Sequence, residues 1–224
     1  MNRDLTRGQQ AFWSKVARRY DQVVDLQIGP KTRSLVRERL AKEDSLGTVV
    51  EFGCGTGFYT AVLAAKSQSV TATDLSSSML AIARESVPAA NVSFQAEDCQ
   101  KCSLPDGSFD TVFMSLLIHF TTPERVMREV SRILRPGGLL LIVNLDLDAL
   151  RGFDKLRCRV RIVFHGLTRY RTTPPPNFSD HLMTEQQLCH LLQESGFNVV
   201  SSETFRDLTR SSNIPVEYIR AVRV

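Results

Sequence analysis

The stretch Val49-Val50-Glu51-Phe52-Gly53-Cys54-Gly55-Thr56-Gly57-Phe58 constrains the fold of this chain more than any other. Three glycines take alternate positions directly after a β-rich run, and an apolar-periodic segment follows. Glycine has no Cβ and reaches backbone angles that other residues avoid, so such a turn bends sharply and brings bare backbone against a ligand. Where a strand runs through it into a helix, unpaired N–H groups face whatever binds there. The natural setting is an open, doubly wound α/β sheet, whose ligands sit beyond the carboxyl ends of the strands. A dinucleotide fingerprint G-x-G-x-x-G is not met. Counted from Gly53 its third glycine falls on Phe58, and counted from Gly55 it falls on Thr60. An NAD-dependent oxidoreductase is therefore the weaker reading.

The surrounding pattern alternates strands and helices. Phe12, Val16, Val23 and Val24 predict an amphipathic helix over 9–25, and a second helix is predicted over 32–43. Strands are predicted at 48–52, at 69–73 running into Asp74, at 92–96, at 109–115 and at 139–144. Between them lie helices at 57–66 and 77–86, the latter capped by Ser76. A further helix, capped by Thr122 with Pro123 in its first turn, carries Val126, Val130, Ile133 and Leu134 on one face and stops at Arg135-Pro136-Gly137-Gly138. Leu156, Val160, Val163, Phe164 and Leu167 also recur at helical spacing. Thr184 with Gln187 forms a capping box for a helix closed by Gly196, ahead of two last strands at 197–205 and 216–224. Strands separated by single helices imply a mainly parallel sheet covered on both faces, in one domain.

Two acids stand out against this frame. Asp74 lies 21 residues after Gly53, at the end of the next strand. A carboxylate there can accept both hydrogen bonds of a ribose diol, or serve simply as a loop aspartate. Glu51 sits inside a strand, where acids are normally excluded. A negative charge there suits a ligand bearing an amino group or a cation.

Charge narrows the partners. The 224 residues carry 28 Lys and Arg against 24 Asp and Glu, a surplus too small to call for nucleic acid. It is unevenly spread: residues 49–146 hold seven basic and ten acidic residues, whereas both flanks are positive. Arg151 to Arg171 alone carries seven basic residues and one acid, Asp154. That segment is either a solvated helix face or a rim that attracts an anionic substrate or backbone. Apolar runs such as Leu139–Val143 fall far short of the roughly 20 residues that cross a bilayer. No apolar leader is apparent at the N-terminus, and five unpatterned cysteines make no disulfide framework, so a cytoplasmic setting is expected. Cys99 and Cys102 form a C-x-x-C without further ligands at metal spacing, and no metal is expected.

The succession E-F-G-C-G-T-G, T-D-L-S-S-S-M-L, A-E-D-C, S-F-D-T-V-F-M-S-L-L-I-H and L-R-P-G-G resembles the class I S-adenosylmethionine-dependent methyltransferases, in their small-molecule branch, over about residues 10–224. The resemblance implies a Rossmann-like, seven-stranded, mostly parallel sheet with its last strand antiparallel. It implies a single domain with a helical lid over 1–45, a cofactor-binding half over 46–146, a substrate-pocket insertion over 147–183 and a C-terminal helix and strands over 184–224. The implied cofactor is S-adenosylmethionine, with S-adenosylhomocysteine as product. Gly53, Cys54, Gly55 and Gly57 would hold its methionine part, with Glu51 near the amino group. Asp74 would hold the ribose, Leu75 and Met79 the adenine faces, Asp98 the adenine amino group, and the Cys99 N–H a ring nitrogen. Ser115 would border the sulphonium. The run Val16-Ala17-Arg18-Arg19-Tyr20-Asp21 resembles a lid segment, with Tyr20 over the cofactor.

Methyl transfer by such an enzyme would go to an oxygen, nitrogen or sulphur of a small-molecule acceptor. His119 is the candidate base, and Trp13, His119, His165, Tyr170, Arg171 and His181 are candidates for the acceptor pocket. Amino-methylation of DNA is disfavoured, because Ser115-Leu116-Leu117-Ile118 replaces the Asn/Asp-Pro-Pro-Tyr/Phe motif, and no Pro-Cys supplies a cytosine nucleophile. RNA modification through the basic 151–171 segment and a non-catalytic cofactor-binding subunit stay as alternatives.

Overall fold

The computed structural model describes residues 3–146, 149, 150, 152–154, 156, 157, 160, 182–210 and 213–224, with residues 3–7 as backbone only. Three helices, α1 (Arg3–Val16), α2 (Tyr20–Ile28) and α3 (Pro30–Ala41), precede β1 (Thr48–Phe52). Next come α4 (Thr60–Lys66), β2 (Ser69–Asp74), α5 (Ser77–Ser86), β3 (Val92–Ala96) and β4 (Phe109–Ser115). The chain continues through α6 (Pro123–Ile133), β5 (Leu134–Leu145), α7 (Glu185–Glu194), β6 (Phe197–Phe205) and β7 (Val216–Arg223).

The seven strands form one sheet in the order β3-β2-β1-β4-β5-β7-β6. The first five are parallel, and β7 runs antiparallel to both β5 and β6. Alternate residues face opposite layers, as the two-residue period of a strand requires. Phe113, Leu141, Val143 and Tyr218 join the core under α3 and α4, while Phe52, Val112, Met114, Leu140 and Ile142 join the core under α6 and α7. Burial on both faces is why these strands read as continuous apolar runs. Helix α6 buries Val126, Met127, Val130 and Ile133 completely, at about 1.5–3 kcal/mol each.

Four details differ from the sequence expectations. The helix predicted over 9–25 is broken into α1 and α2 by a short 3-10 turn, Ala17–Arg19, and Arg19 leaves helical angles at φ −121°. The glycine stretch does not open a helix directly; it winds through turns until α4 starts at Thr60. Arg135-Pro136-Gly137-Gly138 is not a loop between α6 and a later strand. Strand β5 starts at Leu134, pairs with Phe109, and shifts register before Leu139 pairs with Thr111. Thr122 holds the N-cap position of α6 without a side-chain cap bond, its N–H donating to Gln100 Oε1 at 2.9 Å.

The parallel register brings several chain segments to one edge. Phe52 pairs with both Thr73 and Met114, and Asp74 pairs with Ala96. The glycine turn after β1, Asp74 ending β2, the residues after β3 and Ser115 ending β4 therefore sit side by side.

Candidate functional site

The turn after β1 owes its shape to two left-handed glycines, Gly53 at φ 68° and Gly55 at φ 55°. A Cβ on Gly53 would stand 3.0 Å from a Leu117 methyl, and one on Gly55 would stand 3.1 Å from the Tyr20 ring. The Cys54 N–H donates to the Thr73 carbonyl at 2.8 Å, and the Gly55 N–H donates to Asp74 Oδ2 at 2.9 Å. The Ser76 N–H donates to Asp74 Oδ1 at 2.8 Å. Burial raises the Asp74 pKa, and these backbone donors temper the rise. Each carboxylate oxygen keeps a lone pair for a further donor. Directly after Ser115, Leu116 holds φ 52°, a left-handed angle that costs a non-glycine residue on the order of 1–3 kcal/mol. Its N–H donates to the Val143 carbonyl at 2.8 Å, which fixes the exit from β4.

Around this edge lies an open cleft. Its floor includes Gly53, Gly55, Asp74 and Ser115. One wall holds Leu75, Met79, Asp98 and Cys99, and Trp13 and Tyr20 stand over the opening. Met79 is fully buried, and burial raises the Cys99 thiol pKa far above its ordinary value. Asp98 uses one oxygen: Oδ1 accepts the Gln100 N–H at 2.9 Å. Its other oxygen, Oδ2, is buried without a hydrogen-bond partner among the described residues. An orphaned carboxylate oxygen is costly, so a donor on a ligand is the expected complement.

A second, smaller chamber shares Tyr20, Gly53, Ser115 and Leu116 with the cleft. It is lined by Glu51, Cys54, Thr56, Tyr59 and Arg33. Glu51 is 2% exposed, accepts the Thr60 hydroxyl at 2.6 Å, and is pushed up to about 7 by burial. Burial also pushes the Tyr59 phenol up to about 12.

The first helix closes the top. Gln9 Nε2 donates to the Phe120 carbonyl at 2.8 Å, and the Ser14 and Ser76 hydroxyls are 3.0 Å apart. Trp13 meets Phe120 edge-on at 4.7 Å and Tyr20 at 6.0 Å. Burial and the Asp74 charge raise the Tyr20 pKa, so its hydroxyl stays protonated.

Most of the predicted cofactor residues thus converge, and the exceptions are informative. Gly57 lines neither space; its missing Cβ makes room for Val87 and Ala83 beside α5. His119 is 1% exposed, its ring lies 4.2 Å from that of Phe120 and tilted by 50° to it, and it is pushed down to about 3 by burial. Phe120 and Thr121 line the cleft, whereas His119 does not. His165, Tyr170, Arg171 and His181 lie outside the described residues. Sequence reasoning missed Gln9, Gln100 and Phe120 in the cleft, and Arg33, Thr56 and Tyr59 in the chamber. The aromatic pair directly after the glycines was a usable signal for Tyr59; nothing local marked Arg33.

Residues 50–142 match the family model described as a methyltransferase domain. Over 145 residues the chain is 32% identical to the biotin biosynthesis bifunctional protein BioHC of Cellvibrio japonicus, covering 63% of this chain and 28% of that protein. Over 195 residues it is 27% identical to the O-methyltransferase cnsE of Penicillium expansum, covering 81% of this chain and 66% of that protein. The chain therefore spans under a third of the first relative and about two thirds of the second. Among solved structures, the fold matches the N-methyltransferase NodS of Bradyrhizobium japonicum WM9, determined with S-adenosyl-L-homocysteine, at TM-score 0.63 and 16% identity. That match covers 86% of this chain and 85% of NodS.

Proposed function

We propose that this chain is a class I S-adenosylmethionine-dependent methyltransferase, a reading supported by the methyltransferase-domain match over residues 50–142, and that it methylates an oxygen, nitrogen or sulphur atom of a small-molecule acceptor. The observation that carries the cofactor half of this reading is the buried, partnerless Asp98 Oδ2, one strand end along from Asp74. The pair is suited to the exocyclic amino group of a purine and the diol of its ribose. Leu75 and Met79 supply the apolar faces that a base needs, a task suited to a soft, adaptable thioether. Glu51 and the second chamber suit an ammonium-bearing tail, and the bare backbone at Gly53 and Gly55 admits it closely. When bound, S-adenosylmethionine supplies an electrophilic methyl group on a sulphonium.

The protein's own part is to align and to dry the site. Charge is lost along an in-line displacement, so a site that holds the atoms in register and excludes water favours it. Trp13, Tyr20 and Phe120 form the apolar cover, and Ser115 marks the end of β4 where the acceptor would approach. A base is needed only if the acceptor arrives protonated. Of the two histidines among the described residues, His119 adjoins the cleft wall through Phe120, and His190 is exposed on α7. His119 is therefore the one to test as that base. Of the proteins named above, cnsE is an O-methyltransferase and NodS an N-methyltransferase, and the atom used here is a matter for the assay.

A thermal-shift panel tests the cofactor. At a hundredfold excess over Kd, S-adenosylmethionine and S-adenosylhomocysteine should each add about 2.7 kcal/mol, or about 5–10 °C. No shift with either, or a larger shift with NAD, overturns the reading. Labelled methyl transfer into a metabolite extract, with mass-spectrometric identification of the product, then names the acceptor.

A further inference from the structure

The lid is fastened to the glycine turn by side chains whose bonds to one another the cofactor reading does not use. Thr56, between Gly55 and Gly57, donates its hydroxyl to Asp21, at 3.0 Å from Oδ1 and 3.1 Å from Oδ2. Asp21 lies in the first turn of α2, directly after Tyr20. Its Oδ1 also receives Arg33 Nη2 at 2.7 Å, and Arg33 Nη1 reaches Asp25 Oδ1 at 3.0 Å. The Arg33 side chain is 4% exposed, and its guanidinium lies 3.7 Å over the ring of Phe58, the residue after Gly57. A buried guanidinium must be paired, and here its partners all come from α2. One carboxylate thus joins three elements: the turn through Thr56, α3 through Arg33, and α2 through its own backbone.

The geometry points to Asp21 as a positioning residue, a latch that holds Tyr20 over Gly55 so that the roof shared by the cleft and the chamber is formed before the ligand arrives. The consequence is local. Tyr20 lines both spaces, and its ring stands where a Cβ on Gly55 would be 3.1 Å away. If the latch opens, Tyr20 loses its fixed place although the sheet and the carboxylates beneath it are unaltered. Residence of the cofactor, rather than the ionisation of its partners, then depends on Asp21. This inference rests on the cofactor reading above.

The test uses Asp21→Asn, Thr56→Val, Thr56→Ser and the Asp21→Asn/Thr56→Val double variant of the whole chain. S-adenosylhomocysteine affinity and dissociation rate are measured alongside the emission of Trp13, the single tryptophan, whose ring is 6.0 Å from Tyr20. Each of Asp21→Asn and Thr56→Val should weaken affinity by about tenfold through faster dissociation, the scale of one hydrogen bond to a charged group. The double variant should be no worse than the worse single, because the Thr56–Asp21 bond is the one that both substitutions disturb. Thr56→Ser, which keeps the hydroxyl, should bind like the parent. The ligand-free emission should shift in the two weakened variants and not in Thr56→Ser. Unchanged affinity, strict additivity, or an unmoved emission spectrum overturns the latch. A variant that only lowers Tm, with affinity intact, also overturns it. If Asp21→Asn does not fold, the two Thr56 variants decide the matter. If the parent protein binds no S-adenosylhomocysteine, the cofactor reading fails, and the emission shift in ligand-free Thr56→Val still tests the latch.

Discussion

Glu51 carries its carboxyl where an ionised group is expensive, and its behaviour with pH follows from that. Its folded pKa, pushed up to about 7, lies above the ordinary 4.5, so the folded chain holds a proton that the unfolded chain gives up between those values. The stability it contributes is fully present below about pH 4.5 and is lost as pH rises through about 7. A ligand ammonium acts in the opposite sense, because it favours the ionised form. Cofactor affinity should therefore rise with pH up to about 7, by up to about tenfold per unit and with release of a proton, and level off above it. Calorimetry in two buffers of different ionisation enthalpy measures that proton, and Glu51→Gln should abolish both effects. Asp98 offers a separate test. Asp98→Asn should weaken S-adenosylhomocysteine by about tenfold or more, yet narrow the preference over the analogue whose adenine amino group is replaced by oxygen. For His119 the sign is reversed. Its folded pKa of about 3 lies below 6.5, so stability is lost as pH falls from about 6.5 toward 3. His119→Asn should flatten that acid slope, worth up to about 1.4 kcal/mol per pH unit, in urea titrations. An unchanged pH–rate profile in the same variant would remove it as the base. At this scale Glu51 stood out because it interrupts an apolar strand, whereas Asp98, in the polar run Glu97-Asp98-Cys99-Gln100, was pointed to only by the resemblance. The burial of His119 was not, since a histidine between apolar neighbours reads the same in a wall as in a pocket.

Among the elements, local signals succeeded where the bonds themselves are local. The capping box at α7 is present in full: the Thr184 hydroxyl accepts the Gln187 N–H at 3.1 Å, and the Gln187 side chain accepts the Thr184 N–H at 2.9 Å. Thr184→Ala should cost about 1 kcal/mol in chemical denaturation and leave cofactor affinity unchanged. Thr122 has the same residue type at the same position of α6, but it makes no side-chain cap bond, and Gln100 from the loop after β3 takes its N–H. Thr122→Ala should accordingly cost under half of what Thr184→Ala costs. Nothing within four residues of Thr122 announces that difference. The break between α1 and α2 was hidden for a related reason. Apolar residues keep helical spacing through 9–25, while the turn at 17–19 is set by what Tyr20 and Asp21 meet across the molecule.

For the whole molecule, alternation of strands and helices was enough to give the parallel sheet, and the resemblance supplied its antiparallel ending. Both agree with the observed order. The second chamber and the roof were not legible, because they are made where α1, α2 and α3 dock onto the turn after β1, and docking is decided by long-range complementarity rather than by period. The order β5-β7-β6 has a further consequence, for the way the chain comes off the ribosome. Strand β7 is the last of the seven in chain order but is not an edge strand; it is hydrogen-bonded on both sides, to β5 and to β6. The five parallel strands can assemble as they emerge, yet the flank of β5 stays open, and β6 has nothing to pair with, until residues 216–223 arrive. An open strand flank invites pairing with another chain. The sheet is thus most exposed to misassembly in the interval before β7 emerges, and its closing waits on the last of its strands in chain order.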